Sequence, residues 1–302
     1  MPQKYETLGE ALRRTRYELA TINSNDIECE ELVMAAHRKS SGGKINRMEL
    51  FADFSHKISP SASVILDLML QQRREGRPLQ YITGVQKFLD HEYEVNPGVL
   101  IPRPETEGLV LTAIGKLRQE GIGAGTGIEL GIGSGVISIE LLSAFPCLKM
   151  ISSELTEDAE KTARNNAVRI LGVDDSKERL KISRAFDERN IFEPFEHILS
   201  GCKADFFISN PPYLSKDDTI EQAVLNHEPQ EALFPPACDP FFFYKSITRD
   251  LRHFIKRGGF AFLEMPHERA GAIADIFRAD GFDVRVERDL AGYERVLEIS
   301  YG

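Results

Sequence analysis

Tryptophan is absent from this chain of 302 residues, and no apolar run is long enough to cross a bilayer. A membrane-spanning helix needs about 20 consecutive apolar residues. The N-terminal stretch is charged and amphipathic, so it lacks the apolar core of a secretory signal. These absences favour a cytoplasmic protein without a membrane segment.

Cysteine is also scarce, with only four residues in the chain. They are widely separated, and they form no C-x-x-C pair and have no histidine at metal-ligand spacing. Disulfide frameworks and zinc sites both need such pairs, so we interpret the four cysteines as reduced thiols. The sequence therefore predicts no metal site. These cysteines are Cys29, Cys147, Cys202 and Cys238.

Basic residues are fewer than acidic ones, 37 against 47, which gives a net charge of −10. A protein that binds phosphate backbones usually has the opposite sign, because neutralisation of phosphates supplies most of its non-specific affinity. Residues 1–76 are balanced, so the excess of negative charge lies in the rest of the chain. We expect no direct binding to nucleic acid, and we expect a monomer.

The first 76 residues have the apolar spacing of short helices. Leu8 and Leu12 lie four positions apart, as do Leu32 and Ala36, and Pro60 marks the start of a further helix. This helical part contains no catalytic constellation. Partner recognition and a purely structural role both fit it.

A break at residues 76–78, Gly-Arg-Pro, follows the helical part. Two short stretches rich in strand-forming residues come next, at residues 79–82 and 92–95. We interpret residues 77–100 as a hairpin-like linker between two domains.

Strands and helices alternate from about residue 101 onward, the pattern of a mainly parallel sheet with helices on both faces. The pattern predicts seven strands in one doubly wound α/β domain, with helices that include residues 158–171 and 243–256. The predicted strands are residues 127–130, 149–153, 180–183, 205–209, 260–264, 284–288 and 295–299.

A glycine-rich turn follows the first predicted strand of this domain and reads Gly131-Ile132-Gly133-Ser134-Gly135. Glycines allow a tight turn and let a ligand approach the main chain. The next helix begins with free N–H groups that suit an anionic group, such as the carboxylate of a cofactor. The last glycine comes one residue earlier than in the dinucleotide fingerprint, which favours a ligand without a pyrophosphate.

Glu154 follows the second predicted strand of the domain. An acidic side chain at this place binds the hydroxyls of a nucleoside ribose in many α/β folds. Glu157 and Asp158 are alternatives for the same role, and a solvent-exposed loop glutamate is the structural alternative.

The motif Asn210-Pro211-Pro212-Tyr213 follows the strand predicted at residues 205–209. The prolines donate no hydrogen bond and fix the backbone, so their carbonyls are rigid acceptors, and the Asn210 side chain adds another. Such acceptors can orient an –NH2 group conjugated to a carbonyl or ring toward a methyl sulfonium, while Tyr213 supplies a flat face. The motif predicts methyl transfer by positioning and electrostatics; a Pro-Pro turn ending a strand is the structural alternative.

Together, the glycine turn and the N-P-P-Y motif resemble the amino methyltransferases, which act on adenine N6, guanine N2 or glutamine N5. Finer motifs narrow the resemblance to the HemK/PrmC family of release-factor glutamine methyltransferases. These motifs are P-L-Q-Y-I-T-G at residues 78–84, V-L-I-P-R-P-E-T-E at 99–107, E-P-Q-E-A-L at 228–233 and G-Y-E-R-V at 292–296. The resemblance covers nearly the whole chain from residue 77.

The resemblance implies three parts: a helical domain at residues 1–76 that docks the release factor, a β-hairpin linker at 77–100, and a seven-stranded Rossmann-like methyltransferase domain at 101–302. The methyl acceptor would be the glutamine of the factor's Gly-Gly-Gln tip. The segment at 102–107 would close beside the cofactor, where Thr106 and Glu107 contribute.

The resemblance also implies the site residues. Asn210, Pro211, Pro212 and Tyr213 would hold the glutamine amide and form the catalytic group. The residues expected to hold S-adenosylmethionine are Gly131, Ile132, Gly133, Ser134, Gly135, Glu154, Ile191 and Asn210.

The chain departs from the family pattern in three loops. Asn190 replaces an acidic residue before the apolar pair Ile191-Phe192, which packs by the adenine in the family. The usual glycine-rich stretch is replaced at residues 234–241, and Met-Pro-His at 265–267 replaces Ile-Gly-x. These differences leave the expected reaction unchanged and concern the identity of the protein substrate.

Two other functions stay open at this point. One is an amino methyltransferase that acts on nucleic acid, against which the acidic pI and the motif at 99–107 argue. The other is a non-catalytic module in translation termination, against which the intact N-P-P-Y motif argues. Binding of S-adenosylmethionine separates the module from the enzymes, and methyl transfer to protein or to DNA separates the two enzymes.

Overall fold

The computed structural model describes residues 6–22, 24–43, 45–184, 188–289 and 291–302. The chain divides into two compact units, Met1–Val85 with Glu221–His227, and Gln86–Ile220 with Glu228–Gly302. The first unit includes the helical part that the sequence predicts at residues 1–76, and the predicted domain bounds at residues 76 and 100 stay predictions. Among the described residues, no helix has the length and apolar character that a membrane span requires.

The first unit is helical, and polar residues begin its helices. Thr7, Asn25 and Ser59 each accept a backbone N–H at the start of a helix, which satisfies donors that would otherwise lack partners. Leu32 and Leu66 are fully buried in its core. The first five helices are α1 (Leu8–Leu19), α2 (Asp26–Ser41), α3 (Arg47–Ala52), α4 (Pro60–Arg74) and α5 (Leu79–Thr83).

Helix α5 corrects the sequence prediction, which assigned residues 79–82 to a strand. Tyr81 and Ile82 suggested a strand because aromatic and β-branched residues favour extended backbone. In the structure these two neighbours are both buried, Ile82 in the core of the first unit. The helix ends at Gly84, whose φ of 85° closes the last turn.

A two-stranded sheet follows, formed by β1 (Val85–Phe88) and β2 (His91–Glu94). The prediction of extended backbone at residues 92–95 is thus confirmed for residues 92–94. Asn166 fixes β2, because its amide accepts from Glu94 N and donates to Glu94 O. The same amide donates to Ser134 O, so Asn166 links the hairpin to the glycine-rich turn.

The second unit contains the main sheet. Its elements, with α11 of the first unit, are α6 (Pro104–Gln119), β3 (Thr126–Leu130), α7 (Val136–Ala144), β4 (Lys149–Glu154), α8 (Glu157–Leu171), α9 (Val173–Arg179), β5 (Leu180–Arg184), α10 (Glu193–Leu199), β6 (Ala204–Ser209), α11 (Gln222–His227), α12 (Gln230–Leu233), α13 (Phe242–Phe254), β7 (Ile255–Glu264), α14 (Ala270–Ala279), β8 (Asp283–Arg288) and β9 (Glu294–Ser300).

The sheet has seven strands in the order β5-β4-β3-β6-β7-β9-β8, and β9 runs antiparallel to both its neighbours. All seven predicted strands are present, and the predicted Rossmann-like α/β fold is confirmed. Strand β7 begins at Ile255, five residues before the predicted start, and α13 ends at Phe254 instead of Lys256. The reason is that Ile255 is fully buried and pairs with Ala204 in the sheet.

Strand β3 lies between β4 and β6, so the strand order reverses beside it. Ligands of open α/β sheets bind at such a reversal, outside the carboxyl ends of the strands. The glycine-rich turn follows β3 and the N-P-P-Y motif follows β6. The Ser209 hydroxyl donates to Leu130 O at 2.8 Å, which ties the two strand ends together.

Candidate active site

The glycine-rich turn has three residues with left-handed backbone, Gly131, Gly133 and Gly135, with φ values of 76°, 56° and 92°. L side chains rarely adopt such backbone, so each position favours glycine. At Gly135 a Cβ would also lie 2.7 Å from Ile139 Cδ1, so the Ile139 side chain would have to shift. The turn is also fixed to β4. Ser153 O in that strand accepts hydrogen bonds from Gly131 N at 3.1 Å and from Ile132 N at 3.0 Å.

Glu154, the last residue of β4, faces the same turn. Its Oε2 accepts from Gly133 N at 2.9 Å, and its Oε1 accepts from the N–H groups of Leu155 and Thr156 at 2.7 and 3.1 Å. A carboxylate has about four acceptor positions, so one remains for a ribose hydroxyl. Burial raises the pKa of Glu154, although these three N–H groups oppose the shift.

A cavity of about 320 Å³ lies at the carboxyl ends of β3, β4 and β6. Its walls come from residues 98–100 before α6, the glycine-rich turn, residues 153–156, residues 210–212 and the segment around α12 at 229–236. All these segments belong to the second unit. The cavity thus brings together the predicted cofactor motif and the predicted acceptor motif.

The predicted residues divide into two groups by their place relative to this cavity. Those that line it are Gly131, Gly133, Glu154, Asn210, Pro211 and Pro212. Those that do not line it are Ile132, Ser134, Gly135, Tyr213 and Ile191. Ile191 is 1% exposed within the core, so its contact with the adenine stays a prediction.

Asn210 is held by a chain of side-chain hydrogen bonds from two distant parts of the sequence. Its Nδ2 donates to Thr106 Oγ1 at 3.1 Å, and the Thr106 hydroxyl donates to Glu264 Oε2 at 2.6 Å. Within the described residues, Asn210 Oδ1 accepts no hydrogen bond. This oxygen is therefore the atom that the side chain offers to a ligand.

Glu264, the last residue of β7, is only 1% exposed. Burial raises the pKa of its carboxyl to about 7, and the neighbouring charge of Glu105 acts in the same direction. Arg295 and the hydrogen bond from Thr106 oppose this shift. The Tyr213 hydroxyl lies 3.4 Å from Glu264 Oε1, so the last residue of the N-P-P-Y motif faces the same carboxylate.

Glu228 joins two of the segments that form the cavity wall. Its Oε1 forms an ion pair with Arg103 at 2.6 Å, and its Oε2 accepts from Ile101 N at 3.1 Å. The Glu228 side chain is 1% exposed. Because a buried charge is costly without partners, this contact holds residues 98–103 and the α12 segment in one arrangement.

Glu129 lies in β3 behind the glycine-rich turn and is fully buried. Its Oε2 accepts from the hydroxyls of Ser138 and Ser152. Within the part of the chain that the structure describes, its Oε1 has no partner. Burial raises the pKa of this carboxyl to about 7.

The sequence assigned no role to Glu264, the last residue of a predicted strand, or to Glu228, the first residue of the E-P-Q-E-A-L motif. A signal for Glu264 was available, since an acidic residue at the end of a buried apolar strand must have partners. The strand ends at the same edge of the sheet as Asn210. No local pattern indicated that Glu228 pairs with Arg103, because 125 residues separate them. The described residues contain no cluster of potential metal ligands.

A family model and several known proteins are similar to this chain. Residues 10–84 match the model of the PrmC N-terminal domain. A release factor glutamine methyltransferase of Staphylococcus aureus is 30% identical over 256 residues, which cover 83% of this chain and 86% of that protein. A bifunctional methyltransferase of Rickettsia typhi is 32% identical over 270 residues, which cover 83% of this chain and 50% of that protein. This chain thus matches only about half the length of the bifunctional relatives.

Solved structures show the same fold. A methyltransferase from Pyrococcus furiosus superimposes with a TM-score of 0.50 at 16% identity, covering 76% of this chain and 99% of that one. At this identity the likeness concerns the fold alone.

Proposed function

The chain belongs to the family of release factor glutamine methyltransferases, and on this premise we propose that it methylates the side-chain amide nitrogen of a glutamine. The acceptor would be the glutamine in the Gly-Gly-Gln tip of a peptide-chain release factor. The methyl donor would be S-adenosylmethionine, whose sulfonium makes the methyl carbon electrophilic. The glycine-rich turn and Glu154 fit this donor, because they offer a close approach to the main chain and a free acceptor for a ribose hydroxyl.

One observation supports the substrate class most directly: the orientation of the Asn210 amide. Its Nδ2 is bound to Thr106, so its Oδ1 is left to accept a hydrogen bond from a primary amide. Pro211 and Pro212 add rigid carbonyls beside it on the cavity wall. Acceptors for both N–H bonds orient the nitrogen lone pair and favour its rehybridisation as the new N–C bond forms.

No strong base is needed in this chemistry. The amide proton becomes acidic once the nitrogen has received the methyl group, and it then leaves to solvent. The site residues therefore act by positioning and by electrostatic stabilisation of the developing charge. The fixed acceptors are present before the reaction, so little reorganisation is needed during it.

The helical unit is the proposed docking surface for the factor. Tyr17, Met48, Phe51 and Phe54 are large apolar side chains that are at least 40% exposed there. Exposed apolar groups of this kind suit contact with another protein. A Met48→Ser/Phe51→Ser double variant should raise the KM for the whole factor but leave the KM for a short Gly-Gly-Gln peptide unchanged. Equal effects on both acceptors would contradict the docking role.

The function is tested by methyl transfer from labelled S-adenosylmethionine. Purified release factor, its Gln→Ala variant at the Gly-Gly-Gln tip and duplex DNA are offered in parallel to the wild-type protein and to Asn210→Ala. We expect label on the intact factor only, none on its Gln→Ala variant, and labelling at least about 100-fold slower with Asn210→Ala.

Label on DNA would favour the nucleic-acid alternative. Binding of the methyl donor without label on any acceptor would contradict the substrate assignment. Absence of donor binding would favour the non-catalytic module.

A further inference from the structure

We propose that Glu264 is a positioning residue for methyl transfer, which acts through Thr106 to hold the Asn210 amide with its carbonyl oxygen toward the acceptor nitrogen. The inference rests on the proposed function and concerns what orients its central residue. Glu264 does not line the cavity, so it acts through its neighbours.

The contact connects three elements that are far apart in sequence. Thr106 lies in the first turn of α6, Asn210 follows β6, and Glu264 ends β7. Thr106 is 3% exposed and Glu264 is 1% exposed, so water does not compete for their hydrogen bonds. Hydrogen bonds in such a buried chain polarise one another, and an ionised carboxylate at its end strengthens each of them.

The direction of these hydrogen bonds follows from the single hydrogen of the Thr106 hydroxyl. A threonine hydroxyl has one hydrogen, and here Thr106 donates it to Glu264. Its oxygen can then only accept, so the group that faces it must be the –NH2 end of the Asn210 amide. The carboxylate thus determines which end of the amide is left for the acceptor.

Protonation of Glu264 removes this constraint. A neutral carboxyl can donate its own proton to Thr106 Oγ1, which frees the threonine hydrogen to donate to Asn210. The amide then turns its oxygen toward Thr106 and its –NH2 group toward the acceptor, where two donors would oppose each other. The site is therefore competent only when Glu264 is ionised.

Charged and titratable groups face Glu264 from every side. Glu105 of α6 raises its pKa, and Arg295 of β9 lowers it. The hydroxyl of Tyr213 lies near its carboxyl group, and the hydroxyl of Tyr244 in α13 donates to its backbone oxygen. With burial as the largest cause, the pKa of about 7 places the change of charge near neutral pH.

The first test follows the side-chain amide resonances of Asn210 in the intact protein by NMR during a pH titration, without any acceptor. The resonances are assigned by their loss in Asn210→Ala. We expect a shift with a midpoint near pH 7 in the wild type, and no such shift in Glu264→Gln. Glu298→Gln, which removes another buried carboxyl from the neighbouring strand β9, is the control and should keep the shift. A titration that persists in Glu264→Gln, or is absent from the wild type, would overturn the proposal.

The second test is kinetic. Thr106→Val removes the hydroxyl that links Glu264 to Asn210 but keeps the shape of the side chain. It should lower kcat at least about tenfold, the equivalent of one buried hydrogen bond. The KM for S-adenosylmethionine should change much less than kcat, because Thr106 does not line the cavity. Thr106→Ser keeps the hydroxyl and should restore most of kcat, and Thr112→Val on the same helix should have no effect. A folded Thr106→Val protein with wild-type kcat would contradict the positioning role.

The two tests separate this inference from the proposed function. A wild-type protein that methylates no release factor would contradict the function, while the Asn210 titration would still decide whether Glu264 orients the amide.

Discussion

The two sides of the cavity are built in different ways. On the donor side, the glycine-rich turn and Glu154 are held by backbone hydrogen bonds and by left-handed backbone at three glycines. On the acceptor side, the Asn210 amide donates to Thr106, which lies 104 residues earlier in the sequence. Thr106 in turn donates to Glu264 at the end of β7. The donor side depends on local geometry, and the acceptor side depends on long-range contacts.

Because of this difference, we expect changes on the two sides to affect different quantities, the affinity for the cofactor on one side and kcat on the other. Changes on the donor side should weaken cofactor binding and stability, because they disturb a turn that is part of the fold. Changes on the acceptor side should lower kcat far more than they weaken cofactor binding, because the groups there act mainly while an amide is being methylated.

The largest effect is expected at the centre of the acceptor side. Asn210→Ala should lower kcat about 100- to 1,000-fold, as removal of one preorganised polar group does in other active sites. Calorimetry should show a much smaller loss of affinity for S-adenosylmethionine, because Asn210 is one of several residues expected to hold it. Asn165→Ala, at an exposed position of α8, is the control. Loss of cofactor affinity equal to the loss of rate would break the distinction between the two sides.

A stability change should distinguish the donor side. Gly135→Ala forces a Cβ into left-handed backbone and against Ile139, and we expect a loss of about 2 to 5 kcal/mol in the free energy of unfolding. Gly115→Ala on α6 has open space and should gain up to about 1 kcal/mol. Both values come from urea denaturation. A Gly135→Ala protein as stable as the wild type would mean that the turn is not fixed by its backbone.

The buried carboxyl behind the turn should make stability depend on pH. The pKa of Glu129 is raised from 4.5 to about 7 in the folded protein. Between these values the folded state binds more protons than the unfolded state, so the free energy of unfolding falls as pH rises. Glu129→Gln removes this cost, and its advantage over the wild type should grow by about 3 kcal/mol from pH 5 to pH 8.

The control for that prediction is Glu287→Gln, whose side chain is exposed to water. It should show no growing advantage. A Glu129→Gln protein whose advantage does not change with pH would contradict the account of Glu129.

The smallest effect is expected for a single donor-side contact. Glu154→Gln should weaken S-adenosylmethionine binding about tenfold, because a ribose hydroxyl then donates to a neutral amide instead of a carboxylate. Glu157→Gln should leave the affinity unchanged, since Glu157 is exposed and pairs with Arg184. If Glu157→Gln were the more damaging variant, the ribose role would belong to Glu157.

The fold was predicted well from the sequence wherever the pattern is local. The inner strands of the main sheet follow from buried apolar runs, the edge strands β5 and β8 have only some apolar residues, and the glycine-rich turn follows from its own spacing. The short helix α5 was missed, because Tyr81 and Ile82 favour strand and only the position of Gly84 indicated otherwise. Burial of Ile82 in the core of the first unit outweighs that local preference for a strand.

The site was predicted in part for the same reason. Asn210, Pro211, Pro212 and Glu154 line the cavity because they end or directly follow strands that meet at one edge of the sheet. The roles of Glu264 and Glu228 could not be predicted, since each depends on which strand ends and loops become neighbours. Ile191 is buried in the core and does not line the cavity, so its contact with the adenine stays a prediction.

The central claim is that the acceptor side holds the side-chain amide of a glutamine. Its most direct test is tandem mass spectrometry of release factor incubated with the protein and S-adenosylmethionine. The account predicts one added methyl group, located on the glutamine of the Gly-Gly-Gln tip and formed at least about 100-fold more slowly when Asn210→Ala replaces the wild type. A methyl group on another residue of the factor, or the same modification formed as fast with Asn210→Ala, would contradict it.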